Sequence, residues 1–108
     1  MYQGTTPTIQ LIVPGKDLTD KRIYLTIEDS RSKTQITWIS GDQGLVVEYK
    51  EPNTIVLLTL TQENTFELPL GSLNAQIRWI DINGKAWATE PCKLVMQNVL
   101  LKEVITYE

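Results

Sequence analysis

Apolar and polar residues alternate with period two along most of this chain. Ile23, Leu25 and Ile27 alternate with Tyr24, Thr26 and Glu28, the pattern of a strand that buries one face. Ile9, Leu11 and Val13 lie opposite Thr8 and Gln10, and Leu73, Ala75, Ile77 and Trp79 form an inward row against Asn74, Gln76 and Arg78. Further strands are predicted around Ile36–Trp38, at Leu45–Tyr49, Ile55–Leu60, Lys85–Glu90 and Lys93–Gln97, with a last candidate at Leu100–Ile105. Between them stand turn clusters: Pro14-Gly15, Asp29-Ser30-Arg31-Ser32, Ser40-Gly41-Asp42-Gln43-Gly44, Glu51-Pro52-Asn53 and Asn83-Gly84. Short strands with one apolar face, separated by turns about every ten residues, predict an all-β fold. The expected architecture is an immunoglobulin-like antiparallel β-sandwich of about seven to nine short strands, in a single domain over residues 1–108.

One place reads as helical. Thr61-Gln62-Glu63-Asn64-Thr65 separates a strand from the Pro69-Leu70-Gly71 turn. Thr61 is suited to cap the free amides of a helical turn, and Glu63 suits its positive end. A single turn near 61–65, crossing between the two sheets, is expected.

The densest segment runs from Ile77 to Thr89. Asn83-Gly84 between alternating segments predicts a two-residue hairpin turn with φ > 0 at both positions. That turn pairs Ile82 with Lys85, Asp81 with Ala86, Ile80 with Trp87 and Trp79 with Ala88. Trp79 then joins Trp38 in the core, and Trp87 shares the other face with Ile80. Ile80, Ile82 and Trp87, together with Ile12 and Ile39, would leave outer faces more apolar than a free monomer needs, and such patches mark protein interfaces. Trp87, Ile80 and Ile82 are therefore the candidate interface residues, and Trp87 is also the candidate for stacking on a sugar ring. Asp81-Ile82-Asn83-Gly84 has the look of half a calcium loop, with Glu90 six residues after the glycine. The residues between read as a strand, so no metal site is expected there.

Composition narrows the chemistry. With 42% apolar and 21% charged residues in 108, the chain is globular, and this size removes roughly two-thirds of the unfolded surface from water. The net charge is −3, and Lys21-Arg22 is the sole adjacent basic pair, so no phosphate-neutralising stripe and no nucleic-acid partner are expected. The absence of histidine removes the ordinary serine and cysteine triads, HExxH sites and most zinc sites. Ser30-Arg31-Ser32-Lys33 fits S-x-x-K, but without its companion motifs it reads as a polar turn. Glu28 and Asp29 are adjacent on a strand end and point to opposite faces, and no Gly-rich phosphate loop occurs. The expectation is a non-enzymatic protein without catalytic residues, cofactor or metal. Cys92, next to Pro91, reads as a half-buried strand residue. The first residues lack the basic and apolar regions of a secretory signal, and the apolar runs are too short to span a bilayer, so cytoplasmic synthesis and no membrane partner are expected.

The order of signals also carries a resemblance. Gly4-Thr5-Thr6-Pro7-Thr8 leads into the first strand. Leu60-Thr61-Gln62-Glu63-Asn64-Thr65, Leu68 and Gly71, Gln76-Ile77-Arg78-Trp79 with Asp81 and Gly84, Ala88-Thr89 and Val99-Leu100-Leu101-Lys102-Glu103-Val104-Ile105 follow. Over nearly its full length the chain resembles small β-sandwich proteins encoded in the tail and baseplate modules of long-tailed phages and prophages of Gram-positive bacteria. More distantly it is similar to the N-terminal domain of the baseplate upper protein of such phages. The resemblance implies a structural or adaptor role, made in the host bacterial cytoplasm and incorporated in the virion, with other tail or baseplate proteins or further copies of itself as partners. It carries over no catalytic residue. No fibre or receptor-binding region is expected after Glu108, a departure from the resemblance that argues against a direct role in host attachment. A carbohydrate- or cell-surface-binding sandwich module is the alternative.

Overall fold

Strand-forming residues pair into two antiparallel sheets in a computed structural model that describes all residues, 1–108. The elements are β1 (Thr8–Val13), β2 (Arg22–Glu28), β3 (Gln35–Ile39), β4 (Leu45–Lys50), β5 (Asn53–Thr59), α1 (Gln62–Glu67), β6 (Gly71–Ile80), β7 (Ala86–Ala88) and β8 (Cys92–Met96). One sheet has the order β1-β5-β4. The other runs β3-β2-β6, with β7 and β8 following one another along the far edge of β6. The first sheet thus fills the B, E and D positions of an immunoglobulin sandwich, and the second fills C′, C, F and G. The all-β sandwich read from the sequence is the fold observed, with eight strands.

The inward rows are those the alternation marks. Ile23, Leu25 and Ile27 of β2 are fully buried against Leu73, Ala75, Ile77 and Trp79 of β6, while Val56 and Leu58 of β5, with Leu60 just beyond it, face them from the other sheet. Each such aliphatic side chain contributes about 1.5–3 kcal/mol by leaving water. Trp38 and Trp79 both lie in this core, as expected. No helix is long and apolar enough to cross a membrane.

The helical turn forms where the caps place it. Thr61 Oγ1 accepts from the Asn64 amide at 3.1 Å, and Asn64 Oδ1 accepts from the Thr61 amide at 2.9 Å, a reciprocal box that satisfies two amides. Thr65, fully buried, accepts from the Gly4 amide at 2.8 Å and so fixes the N-terminal segment against α1. Gly4 has φ 74, and a Cβ there would stand 2.8 Å from the Phe66 ring, so both backbone and space require glycine.

Residues before β1 belong to the other sheet. Tyr2 lies parallel to Gln97, just past β8, with Gln97 N donating to Met1 O at 2.7 Å and Gln3 N to Gln97 O at 3.0 Å. The chain then crosses through Gly4–Pro7 to enter the first sheet as β1. β1 pairs with β5 on one side only.

The hairpin register differs from the expected one by one residue. Trp79 faces Trp87, Ile80 faces Ala86 and Arg78 faces Ala88. The loop has three residues, Ile82-Asn83-Gly84, closed by Gly84 N to Asp81 O and Asp81 N to Lys85 O, each 3.0 Å. Gly84 alone takes positive φ, at 84°, whereas the two-residue turn would need it at Asn83 as well. The cause is Asp81. Its Oδ1 accepts from the Asn83 amide at 2.9 Å and the Lys85 amide at 3.0 Å, fixing a type I turn followed by a left-handed glycine.

A second irregularity restores the parity of the edge. Ile77 faces Thr89, but Ala75 faces Cys92, so Glu90 and Pro91 together stand opposite Gln76. This is a β-bulge, and proline is tolerated there because one amide has no ladder partner. Side chains stitch it: Gln76 Nε2 donates to Thr89 O at 2.8 Å, and the Ile77 amide donates to Thr89 Oγ1 at 3.2 Å. Trp87 and Thr89 point inward before the bulge, and Cys92, Leu94 and Met96 point inward after it. The segment Leu100–Ile105, a strand candidate by pattern, forms no strand: beyond Met96 the hydrogen bonds to the rest of the protein are those of the Gln97 bridge and a bidentate contact between the Gln62 side-chain amide and the Ile105 backbone, at 2.8 and 2.9 Å.

Candidate functional site

The shifted register separates the residues expected to form one patch. Trp87 turns to the core side, where its ring stacks on Trp79 with centroids 6.1 Å apart and planes at 18°. Lys85 Nζ lies 5.3 Å from the Trp87 centroid, so the ring is half-buried between core and cation. Ile80 lies on the opposite face, half-buried beside Tyr24, Arg78 and Ala86. Ile82 is fully exposed at the hairpin tip. Trp87, Ile80 and Ile82 thus occupy three environments and do not converge; the shared face expected for Trp87 and Ile80 is overturned by the Trp79–Trp87 pairing.

Exposed apolar surface gathers in two other places. The outer face of β1-β5-β4 pairs Ile12 with Ile55 and Val46 with Leu57, and Ile55 and Leu57 are neighbours along the same face of β5. Ile12 and Val46 keep about half their surface in water, at 53% and 47%. The expected outward position of Ile12 is therefore observed, while its companions were not singled out. β5 reads Ile55-Val56-Leu57-Leu58, apolar at every position, and such a run does not reveal which parity faces out. The second place is the segment after β8, where Leu100, Leu101, Val104, Ile105 and Tyr107 are all exposed.

The outer face of the larger sheet is polar. Thr26, Glu28, Gln35, Asn74, Gln76 and Arg78 line a shallow groove of about 400 Å³. Tyr24 stands beside it, its hydroxyl accepting from Arg22 Nε at 2.8 Å. Thr26 and Thr37 bond to each other across the β2–β3 pair at 2.8 Å.

Titratable groups are dispersed. No three His, Cys, Asp or Glu side chains gather as metal ligands would. Asp29 is the buried carboxylate, accepting from Ser32 Oγ at 2.7 Å, the Ser32 amide at 3.2 Å and Arg31 Nε at 3.4 Å. The Ser32 hydroxyl does most to hold its carboxyl below the ordinary range, and loss of hydration opposes it. These partners all belong to its own turn, so Asp29 locks the β2–β3 connection. Ser32, in the S-x-x-K tetrapeptide, serves that turn too. Cys92 is half-buried against the core, as expected. The sequence matches no protein-family model, and no curated protein is similar enough to count as a relative.

Proposed function

We propose that the protein is a structural or adaptor component of a phage or prophage tail or baseplate, incorporated in the virion and acting through protein–protein contacts. The observation that carries the contact role is the grouping of exposed apolar side chains on the outer face of β1-β5-β4 and on residues 100–107. Scattered apolar residues are ordinary on a surface, whereas grouped ones gain free energy when a partner excludes water from them. The phage assignment rests on the resemblance of the chain's motifs. Mass spectrometry of particles purified from the gene's host tests it: the protein is expected in the particle, and its confinement to the unassembled fraction of the lysate sinks the reading.

The alternative, a carbohydrate-binding module, is favoured by the polar groove with Tyr24 beside it rather than by Trp87. Glycan-array binding abolished by Arg78→Ala and retained by Trp87→Ala would select it.

A further inference from the structure

Four strand edges bound the two sheets, and they are unequally protected. The β7/β8 edge is bent by the Glu90-Pro91 bulge, carries Lys93 and is partly covered by residues 1–3. β4 carries Glu48 and Lys50. β1, Thr8-Ile9-Gln10-Leu11-Ile12-Val13, has no charge, no proline and no bulge, and nothing pairs with its outer side. Natural sheets place just such devices on edges that must stay unpaired. β3 also lacks a charge, but of its two inward residues Trp38 is already buried and Ile36 alone is half-buried, so covering that edge gains less than covering β1. On β1 the inward Ile9 and Leu11 remain half-buried, and beside them a small slot lined by Leu11, Ala75, Ile77 and Cys92 opens between the sheets. The sandwich lacks a strand in the A position, where this edge would otherwise be closed.

We infer that β1 pairs with β1 of a second copy, antiparallel and about a two-fold axis at Gln10. This deepens the contact role proposed above and rests on it. A two-fold antiparallel strand pair must place one residue opposite itself, because directly opposed residues share the same hydrogen-bonding direction. Centring on Gln10 sets Ile9 against Leu11 of the second copy, and Thr8 against Ile12. Inward residues then meet inward residues, and no like charges face each other, since the strand has none. The result is a continuous six-stranded sheet, β4-β5-β1-β1-β5-β4, whose outer face joins the Ile12–Ile55 and Val46–Leu57 clusters of both copies.

The area sets the strength. A six-residue strand is about 20 Å long, and the molecule's smallest extent is 21 Å, so the facing area is on the order of 400 Å² in projection. That is about half of the roughly 800 Å² per partner of a standard interface, so the pairing is expected to be weak and reversible, with dissociation at micromolar or higher concentration.

Sedimentation equilibrium across that range tests the idea, with folding of each variant checked by circular dichroism. The wild type should show a reversible monomer–dimer equilibrium. Gln10→Lys, which sets two ammonium groups opposite each other, should weaken it by roughly two- to fivefold, and Thr37→Lys on the β3 edge should leave it unchanged. In a Cys92→Ser background, Gln10→Cys should form an intermolecular disulfide under mild oxidation, because directly opposed residues have Cα atoms about 4.5–5.5 Å apart, and Thr37→Cys should not. A monomer at every concentration, or equal crosslinking from both positions, overturns the inference. If such a monomer is nevertheless found in purified particles, the proposed function stands and only the self-pairing falls.

Discussion

Trp79 and Trp87 stand directly opposite one another on β6 and β7, with nearly parallel rings 6.1 Å apart. Through this pair the short β7 is fastened to the core, because three residues of ladder alone hold little. Replacing Trp87 with Ala removes a half-buried ring and its stacking, and should cost about 2 kcal/mol, below the value for a fully buried tryptophan. Ile82→Ser, at the exposed tip of the same hairpin, should stay within about 0.5 kcal/mol of wild type. Urea unfolding of both variants checks the pair; equal effects would contradict the register.

Deleting Pro91 removes the extra residue of the bulge. Continuing the β7 register would then turn Cys92, Leu94 and Met96 outward, whereas keeping them inward would break the Trp79–Trp87 pair. Either outcome exposes buried apolar surface, so the deletion should abolish cooperative unfolding or lower the midpoint far more than Pro91→Ala, which retains the residue count. Thermal melts of the two variants decide it.

Asp29 gives the fold a dependence on acid. Its carboxyl is held below the ordinary 3.8 by the Ser32 hydroxyl first, against desolvation, and then by the Ser32 amide and Arg31. A carboxylate with a lowered folded-state value binds its proton more readily when unfolded. Its contribution is therefore complete above the unfolded-state value of about 3.9 and is lost as pH falls through the lower folded-state value. Asp29→Asn should lower the melting midpoint at pH 7 and flatten its fall below pH 4. A variant that melts in parallel with wild type across that range would contradict the assignment.

The segment after β8 is expected to matter to partners and little to folding. Leu100 and Tyr107 are fully exposed, so Leu100→Asp with Tyr107→Ser should leave stability within about 0.5 kcal/mol. The same double variant should be depleted from purified particles when it competes with wild type during assembly. Equal incorporation would remove this segment from the contact surface.

The sheets were largely legible because each well-formed strand buries one face, as Ile23, Leu25 and Ile27 do. Thr61 likewise marked the helix start through a hydroxyl whose reach is local. What failed was parity. Asn83-Gly84 favours a two-residue turn by itself, but Asp81 accepts two amides across a three-residue loop, and that choice moved Trp87 to the other face. A signal did exist: with Trp79 opposite Trp87, the inward Cys92, Leu94 and Met96 require an extra residue, and Pro91 sits where it is inserted. The Leu100–Ile105 candidate formed no strand because apolar and β-branched residues report suitability for a strand, while a strand also needs a neighbour, and Gln62 supplies only one side-chain amide.

The parallel bridge between Tyr2 and Gln97 has a mechanical consequence. Tension applied before Tyr2 and after Gln97 pulls two parallel segments in opposite directions along their length. The Gln3–Gln97 and Gln97–Met1 bonds, at 3.0 and 2.7 Å, would then be loaded together in shear instead of being peeled apart one at a time. At this point the sandwich resists stretching better than it resists unzipping.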